Sequence, residues 1–198
     1  QLKDLTPIAT VSRSPWLIAV PGDSPFNSIA DVIKEAKANP GKLAFPFWQS
    51  SVLVTGTLFA RLAGIELKRV PYKGQVEAQT DLLAGRLPLM VTDVPGARSH
   101  VEAGKMKILA STTVQRSTAY PNVPTLRELG YDVVALSTLG IGGPKGMDPA
   151  VVRVLHDAFR KASKDPGFLK VLDLENQPEL YVDSATYARE AAEQFEND

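Results

Sequence analysis

Three short segments of this 198-residue chain carry residue types suited to binding a small anionic ligand. Each follows a short apolar run and precedes an amphipathic stretch, so each is expected to join the end of a strand to the start of a helix. A helix start presents unpaired N–H groups and a partial positive charge, which together favour a carboxylate. The residues predicted to contact a ligand are Phe47, Trp48, Gln49, Ser50 and Ser51, then Lys73, Gly74 and Gln75, and finally Thr92 and Asp93.

The side chains of the first segment allow two interpretations. Ser50 and Ser51 could donate hydroxyl hydrogen bonds to a ligand, or one of them could cap its own helix. Phe47 and Trp48 could wall a pocket against water or pack into the core, and core packing is favoured for Phe47. The sequence alone leaves both questions open.

The second and third segments are similarly ambiguous. The Lys73 side chain is expected to be solvated, so the backbone N–H groups near Gly74 are the better anion donors. Asp93 could receive a ligand ammonium or hydroxyl group, but it is equally suited to capping the helix that follows.

The sequence lacks the constellations that catalysis or metal binding needs. Cysteine is absent, and His100 and His156 are too far apart for a metal-ligand spacing. No nucleophile elbow, phosphate-binding loop or dinucleotide fingerprint is present. We therefore predict no catalytic residue, no metal ligand, no cofactor and no enzymatic activity.

Charge and hydropathy exclude two classes of partner. The chain has 22 basic and 22 acidic residues, so it lacks the excess positive charge typical of nucleic-acid binding. Its apolar runs are far shorter than the roughly 20 residues of a membrane-spanning helix. We expect neither a nucleic-acid partner nor direct membrane insertion.

The elements that position these segments are indicated by a repeated glycine junction. Gly64, Gly85, Gly104 and Gly130 each follow an amphipathic stretch and precede a short apolar run. Each lies where a helix needs a left-handed residue to end. Helices that alternate with strands in this way predict an α/β fold with a mostly parallel sheet.

Helix starts are predicted at Ser28 with Asp31, at Thr125 with Glu128, and at Asp148 before a proline. The helix after Asp148 has one apolar face, which we expect to be part of the core. That face contains Val151, Val154, Leu155, Ala158 and Phe159.

Two extended segments divide the chain into candidate lobes. The first is kinked near residues 14–15, and the second, at 133–141, leads into a glycine-rich loop. We therefore assign residues 1–15 to part of lobe 1 and a crossing strand, and residues 16–132 to lobe 2. Residues 133–198 then form the second crossing and the remainder of lobe 1, which is incomplete.

An ordered series of motifs resembles the substrate-binding proteins of tripartite tricarboxylate transporters, the Bug family. The most specific matches are KDLTPI at 3–8, AKANPGKL at 36–43, PYKG at 71–74, DLLAG at 81–85 and PNVPTLRELG at 121–130. The resemblance runs through most of the chain. It implies a two-lobed periplasmic binding protein fold of type II character, with the first lobe incomplete in this chain.

The resemblance also implies a function. Members bind a di- or tricarboxylate or a related organic acid, largely through backbone amides, and deliver it to membrane permease subunits. We accordingly expect a monomeric periplasmic solute receptor, exported by a signal peptide that is not present in this chain. One departure concerns residues 46–51, where the family usually has a glycine- and serine-rich turn and a histidine, whereas this chain has Phe47, Trp48 and Gln49.

Other functions fit the same architecture less well. A ligand-sensing co-receptor for a membrane signalling kinase would use the same pocket, and only a partner assay separates the two. An enzyme such as a lyase would need an acid and a base in the cleft, where only Asp93 and Lys73 are available. The effector domain of a transcription regulator would bring a basic helix-turn-helix segment, which is not visible.

Overall fold

The computed structural model describes residues 4–174, 177 and 179–197, the last five of these without side chains. Its elements in chain order are β1 (Leu5–Pro15), β2 (Leu17–Pro21), α1 (Ile29–Ala38), β3 (Ala44–Phe47), α2 (Ser50–Ala63), β4 (Lys68–Pro71), α3 (Gln75–Leu83), β5 (Met90–Thr92), α4 (Val94–Glu102), β6 (Met106–Ser111), β7 (Leu136–Pro144), α5 (Pro149–Ala162), α6 (Pro166–Leu174) and α7 (Ser184–Asn197). Helices and strands alternate from β2 to β6, so the α/β prediction is confirmed.

The chain forms two compact units. Pro15–Ser137 make up the central unit, and the segments on either side of it make up the flanking unit. No helix among the described residues is long and apolar enough to cross a membrane.

The central unit contains two sheets. β2 is the middle strand of a three-stranded sheet and runs antiparallel to both β5 and β6. β3 and β4 form a parallel pair with Ala44 opposite Lys68 and Phe47 opposite Pro71. The expectation of a mostly parallel sheet is therefore wrong for β2. A helix that directly connects two neighbouring strands makes them parallel, and no single helix connects β2 to β5 or to β6.

Both faces of β2 are buried, and they serve different cores. Ile18 and Val20 belong to one cluster with the apolar side of α1 and α2, which we call the α2 core. Leu17 and Ala19 belong to a second cluster with α3 and α4, which we call the α4 core. Because successive strand residues point to opposite faces, this one short strand anchors helices on both sides.

Local signals at helix ends are largely confirmed. The four junction glycines all have positive φ, from 62° at Gly64 to 90° at Gly130. Ser28 and Asp148 cap α1 and α5 through their side chains. Around Gly130 the prediction is wrong in part, because the chain makes only a turn before this glycine, and the next strand begins at Leu136.

The turn before Gly130 nevertheless keeps its reciprocal cap. The Thr125 N–H donates to Glu128 Oε2 at 2.9 Å, and the Glu128 N–H donates to Thr125 Oγ1 at 3.0 Å. Both hydrogen bonds form within a single turn, so a capping box does not by itself require the helix to continue.

The flanking unit pairs β1 with β7 and carries α5, α6 and α7. Thr10 bridges to Val182, and the Arg13 side chain forms an ion pair with Glu190. The expectation that the apolar face of α5 is core is wrong for this chain: Val151 is 47% exposed and Val154 is 68% exposed. Amphipathic periodicity shows that a face is suited to burial, but it does not show that a partner lies within the same chain.

Candidate functional site

The first two predicted segments lie side by side because their strands are paired. Phe47 is opposite Pro71 at the carboxyl ends of β3 and β4, and the Tyr72 N–H donates to the Phe47 carbonyl at 2.8 Å. β3 includes Pro46 and Phe47, since an extended backbone accommodates the fixed φ of Pro46. The starts of α2 and α3 therefore emerge next to each other.

At neither helix start does the side chain of the N-cap residue accept a hydrogen bond from a helix N–H group. Gln49 is the N-cap of α2, but its side chain bonds to Ser51 Oγ at 3.1 Å instead of to a helix N–H. Gly74, the N-cap of α3, has no side chain to offer. Ser50 and Ser51 are exposed and do not cap α2. Two sets of helix N–H groups are thus left for water or a ligand.

The two helix starts differ in their own negative charge. α2 has no acidic residue in its first turn. In α3, Glu77 lies in the first turn and accepts a hydrogen bond from the Lys73 N–H at 3.2 Å. The Lys73 side chain is exposed. An external carboxylate therefore meets less competing negative charge at α2 than at α3.

The third segment is tied to the second by one amide. Gln75 Nε2 donates to Thr92 Oγ1 at 3.1 Å and to Asp93 Oδ1 at 3.0 Å. Thr92 is buried at the end of β5, and Asp93 caps α4 by accepting from the Gly96 N–H at 2.9 Å. Of the two interpretations of Asp93, capping is the one that this geometry displays.

Phe47 and Trp48 are half-buried at the end of β3. Phe47 packs against the α2 core, and Trp48 packs against both the α2 core and the α4 core. Each residue thus contributes to core packing and remains partly exposed.

One neighbour of the site was missed by the sequence argument. The Tyr72 hydroxyl donates to Asp81 Oδ2 at 2.7 Å, and Arg86 Nε donates to Asp81 Oδ1 at 2.9 Å. The hydrogen bond to Asp81 raises the pKa of Tyr72, and Arg86 followed by Tyr72 lowers the pKa of Asp81. These contacts hold Tyr72, the residue before Lys73, in place. The sequence feature that could have indicated them is the tyrosine of the PYKG motif.

Metal ligands do not converge anywhere in the part of the chain that the structure describes. No three histidine, aspartate or glutamate side chains there are arranged so that they could hold a metal ion.

The comparisons with known proteins identify a family and a fold. The family model "Tripartite tricarboxylate transporter family receptor" matches residues 1–198. The structure of R. palustris Rpa4515 with adipate aligns with a TM-score of 0.90 at 26% identity, covering 98% of this chain and 66% of that one. The periplasmic binding protein BugD aligns with a TM-score of 0.87 at 26% identity, covering 96% of this chain and 65% of that one. The periplasmic-binding-protein fold is thereby confirmed.

A curated relative extends the similarity. A UPF0065 protein in the gbd 5′ region of Cupriavidus necator is 38% identical over 97% of this chain and 59% of the relative. The chain thus spans about three fifths of this curated relative and just under two thirds of the two solved structures. The matched family is one of receptors and BugD is a periplasmic binding protein, in line with the prediction that this chain is not an enzyme.

Proposed function

Because this chain belongs to the tripartite tricarboxylate transporter receptor family, we propose that it is the ligand-binding part of a periplasmic receptor for a small organic carboxylate. The observation that carries the proposal is the pair of uncapped helix starts, α2 and α3, at the ends of two hydrogen-bonded parallel strands. The adipate in the structure of the R. palustris relative supports a carboxylate as the ligand class.

In this proposal the ligand carboxylate accepts hydrogen bonds from the first N–H groups of α2. The Ser50 and Ser51 hydroxyls and the N–H groups near Gly74 supply further donors. Because these groups are preorganised by the strands below them, little ordering cost accompanies binding. The residues predicted from the sequence to contact the ligand are Phe47, Trp48, Gln49, Ser50, Ser51, Lys73, Gly74, Gln75, Thr92 and Asp93. The last three have side-chain atoms hydrogen-bonded to one another, so the direct contacts proposed here are the first seven.

The aromatic residues at the end of β3 favour a particular kind of acid. Phe47 and Trp48 are partly exposed and directly precede Gln49, the N-cap of α2, so we propose that their rings shield the hydrocarbon part of a ligand from water. A carboxylate on an aliphatic chain, such as adipate, fits this combination better than a ligand that is polar throughout.

The larger role follows from the family. We propose that residues 16–132 act as one lobe and that the flanking segments belong to the other. Ligand binding would shift the receptor toward a closed form, and membrane permease subunits would recognise that form. Delivery is tested by co-purifying the tagged receptor with its permease in the presence and absence of ligand.

A substitution at the start of α2 tests carboxylate binding directly. In Ser50→Asp, a side-chain carboxylate occupies the positive end of α2, so we expect adipate binding measured by titration calorimetry to fall by at least about tenfold. The same carboxylate stabilises an exposed helix start by about 0.3–1 kcal/mol, so the unfolding midpoint should stay the same or rise.

Ser50→Ala is the matched control. If backbone N–H groups carry most of the binding, losing one hydroxyl lowers affinity only by the worth of one neutral hydrogen bond, about 0.5–1.5 kcal/mol. Equal adipate affinity in Ser50→Asp and the unmodified protein would overturn the proposed location of the carboxylate.

A further inference from the structure

A polar cluster connects the second and third segments of the site. It consists of the Gln75 amide, the Thr92 hydroxyl, the Asp93 carboxylate and the Gly96 N–H, and we refer to it as the Gln75 latch. Its hydrogen bonds are 3.1 Å from Gln75 Nε2 to Thr92 Oγ1, 3.0 Å from Gln75 Nε2 to Asp93 Oδ1, and 2.9 Å from the Gly96 N to Asp93 Oδ1.

The backbone at Gly96 makes room for the latch. A Cβ built on Gly96 would lie 1.9 Å from Gln75 Nε2 and 2.9 Å from Asp93 Oδ1. Any larger residue would therefore push the amide out of its position. The Gln75 amide can occupy this position only because residue 96 has no side chain.

The latch uses Gln75 Nε2, Thr92 Oγ1 and Asp93 Oδ1, three of the polar atoms that could otherwise contact a ligand. Asp93 Oδ1 accepts from both the Gly96 N–H and Gln75, and the buried Thr92 hydroxyl also accepts from Gln75. Neighbouring charges are engaged with their own partners: Glu77 accepts from the Lys73 N–H, and Arg98 pairs with Glu102 at 3.0 Å.

We propose that Gln75 is a positioning residue, which holds the start of α3 against the end of β5 through Asp93 instead of contacting ligand. The inference rests on the proposed function, since it concerns how that site is built. Gln75 directly follows Gly74, so the latch sets where the α3 N–H groups lie relative to Thr92 and to the start of α2.

A reciprocal substitution separates positioning from direct contact. In Gln75→Glu, two carboxylates face each other and the amide donor is lost, so the start of α3 should move away from α4. When Gln75→Glu is combined with Asp93→Asn, the amide introduced at position 93 can donate to the carboxylate introduced at position 75, while the amide oxygen still accepts from the Gly96 N–H. The hydrogen bond is thereby restored with its direction reversed.

The experiment measures adipate affinity by calorimetry for the full-length protein, each single variant and the double variant. Positioning predicts a loss of about tenfold or more in Gln75→Glu and recovery in the double variant to near the affinity of Asp93→Asn alone. Direct contact predicts no recovery, because the glutamine amide stays absent and the introduced carboxylate repels the ligand. That second result would overturn the inference.

Gln79→Leu controls for a general loss of stability. Gln79 lies one turn further along α3, and its amide donates to the Gly96 carbonyl, so this change weakens the same helix contact away from the strand ends. We expect lower thermal stability with adipate affinity retained, and an affinity loss equal to that of Gln75→Glu would argue against a local positioning role. Failure of the proposed function is distinguishable from failure of this inference, because it would appear as the absence of carboxylate binding in the unmodified protein itself.

Discussion

At the scale of single residues, close packing under α2 depends on one glycine. A Cβ on Gly56 would lie 2.0 Å from Cζ of Phe45 and 2.6 Å from its Cε2, and that ring is buried in the α2 core. An alanine at position 56 could fit only if this ring or α2 shifted. Gly56 thus sets how near α2 lies to β3, the strand that ends at the site.

We therefore expect Gly56→Ala to destabilise the fold, although alanine is the better helix former by about 0.5–1 kcal/mol. Overpacking a core costs about 1–3 kcal/mol, so a net loss of about 1 kcal/mol is expected in urea unfolding. Thr57→Ala, one position along α2, is the control and should change stability by less than about 0.5 kcal/mol. Increased stability in Gly56→Ala would show that the Phe45 ring moves aside at little energetic cost.

Residue-level prediction from the sequence succeeded where the cause was local. The left-handed glycines and the caps at Ser28 and Asp148 depend only on their neighbours in the chain, so residue type and spacing were sufficient. The Gln75 contact with Asp93 joins residues 18 positions apart, and its geometry depends on how two helices pack. No local pattern could have indicated it.

At the scale of elements, the start of α1 shows how a cap responds to pH. Asp31 Oδ2 accepts from the Asn27 N–H and the Ser28 hydroxyl, both at 2.9 Å, and Ser28 Oγ accepts from the Asp31 N–H at 3.2 Å. The backbone hydrogen bond from Asn27, followed by the hydrogen bond from Ser28, lowers the pKa of Asp31 below its ordinary value of 3.8.

The lowered pKa fixes the direction of a stability change. The ionised Asp31 favours the folded state at every pH above its ordinary value, and this contribution is lost as the pH falls through the lowered pKa. The stability difference between the unmodified protein and Asp31→Asn should therefore be present at neutral pH and shrink below pH 3.8. Urea midpoints over this range measure it, and a difference that grows in acid would contradict the assignment.

Strand direction is the element-level property that the sequence did not reveal. Apolar runs between helices indicated where β4, β5 and β6 lie, but β2 runs antiparallel to both its neighbours. Its direction depends on where the chain enters the central unit, which is a non-local property. The three predicted site segments nonetheless fell at strand ends, because each is defined by a strand–helix junction that local sequence encodes.

At the scale of the whole molecule, the alternation of elements and the motif series were enough to predict the α/β class and the receptor family. They were not enough to predict the exposed face of α5, because burial depends on what lies opposite a helix and not on its own periodicity. The site draws on three helix starts within one unit, so its geometry is a property of the central unit as a whole.

We propose that the uncapped starts of α2 and α3 bind a carboxylate, and thermal unfolding of the full-length protein with a panel of organic acids provides the test. A bound ligand at 100 times its Kd adds about 2.7 kcal/mol to the free energy of unfolding, which corresponds to a rise of about 5–10 °C in Tm. We predict such a rise with at least one di- or tricarboxylate, adipate first among them. An unchanged Tm across the whole panel would show that these helix starts do not bind such an acid.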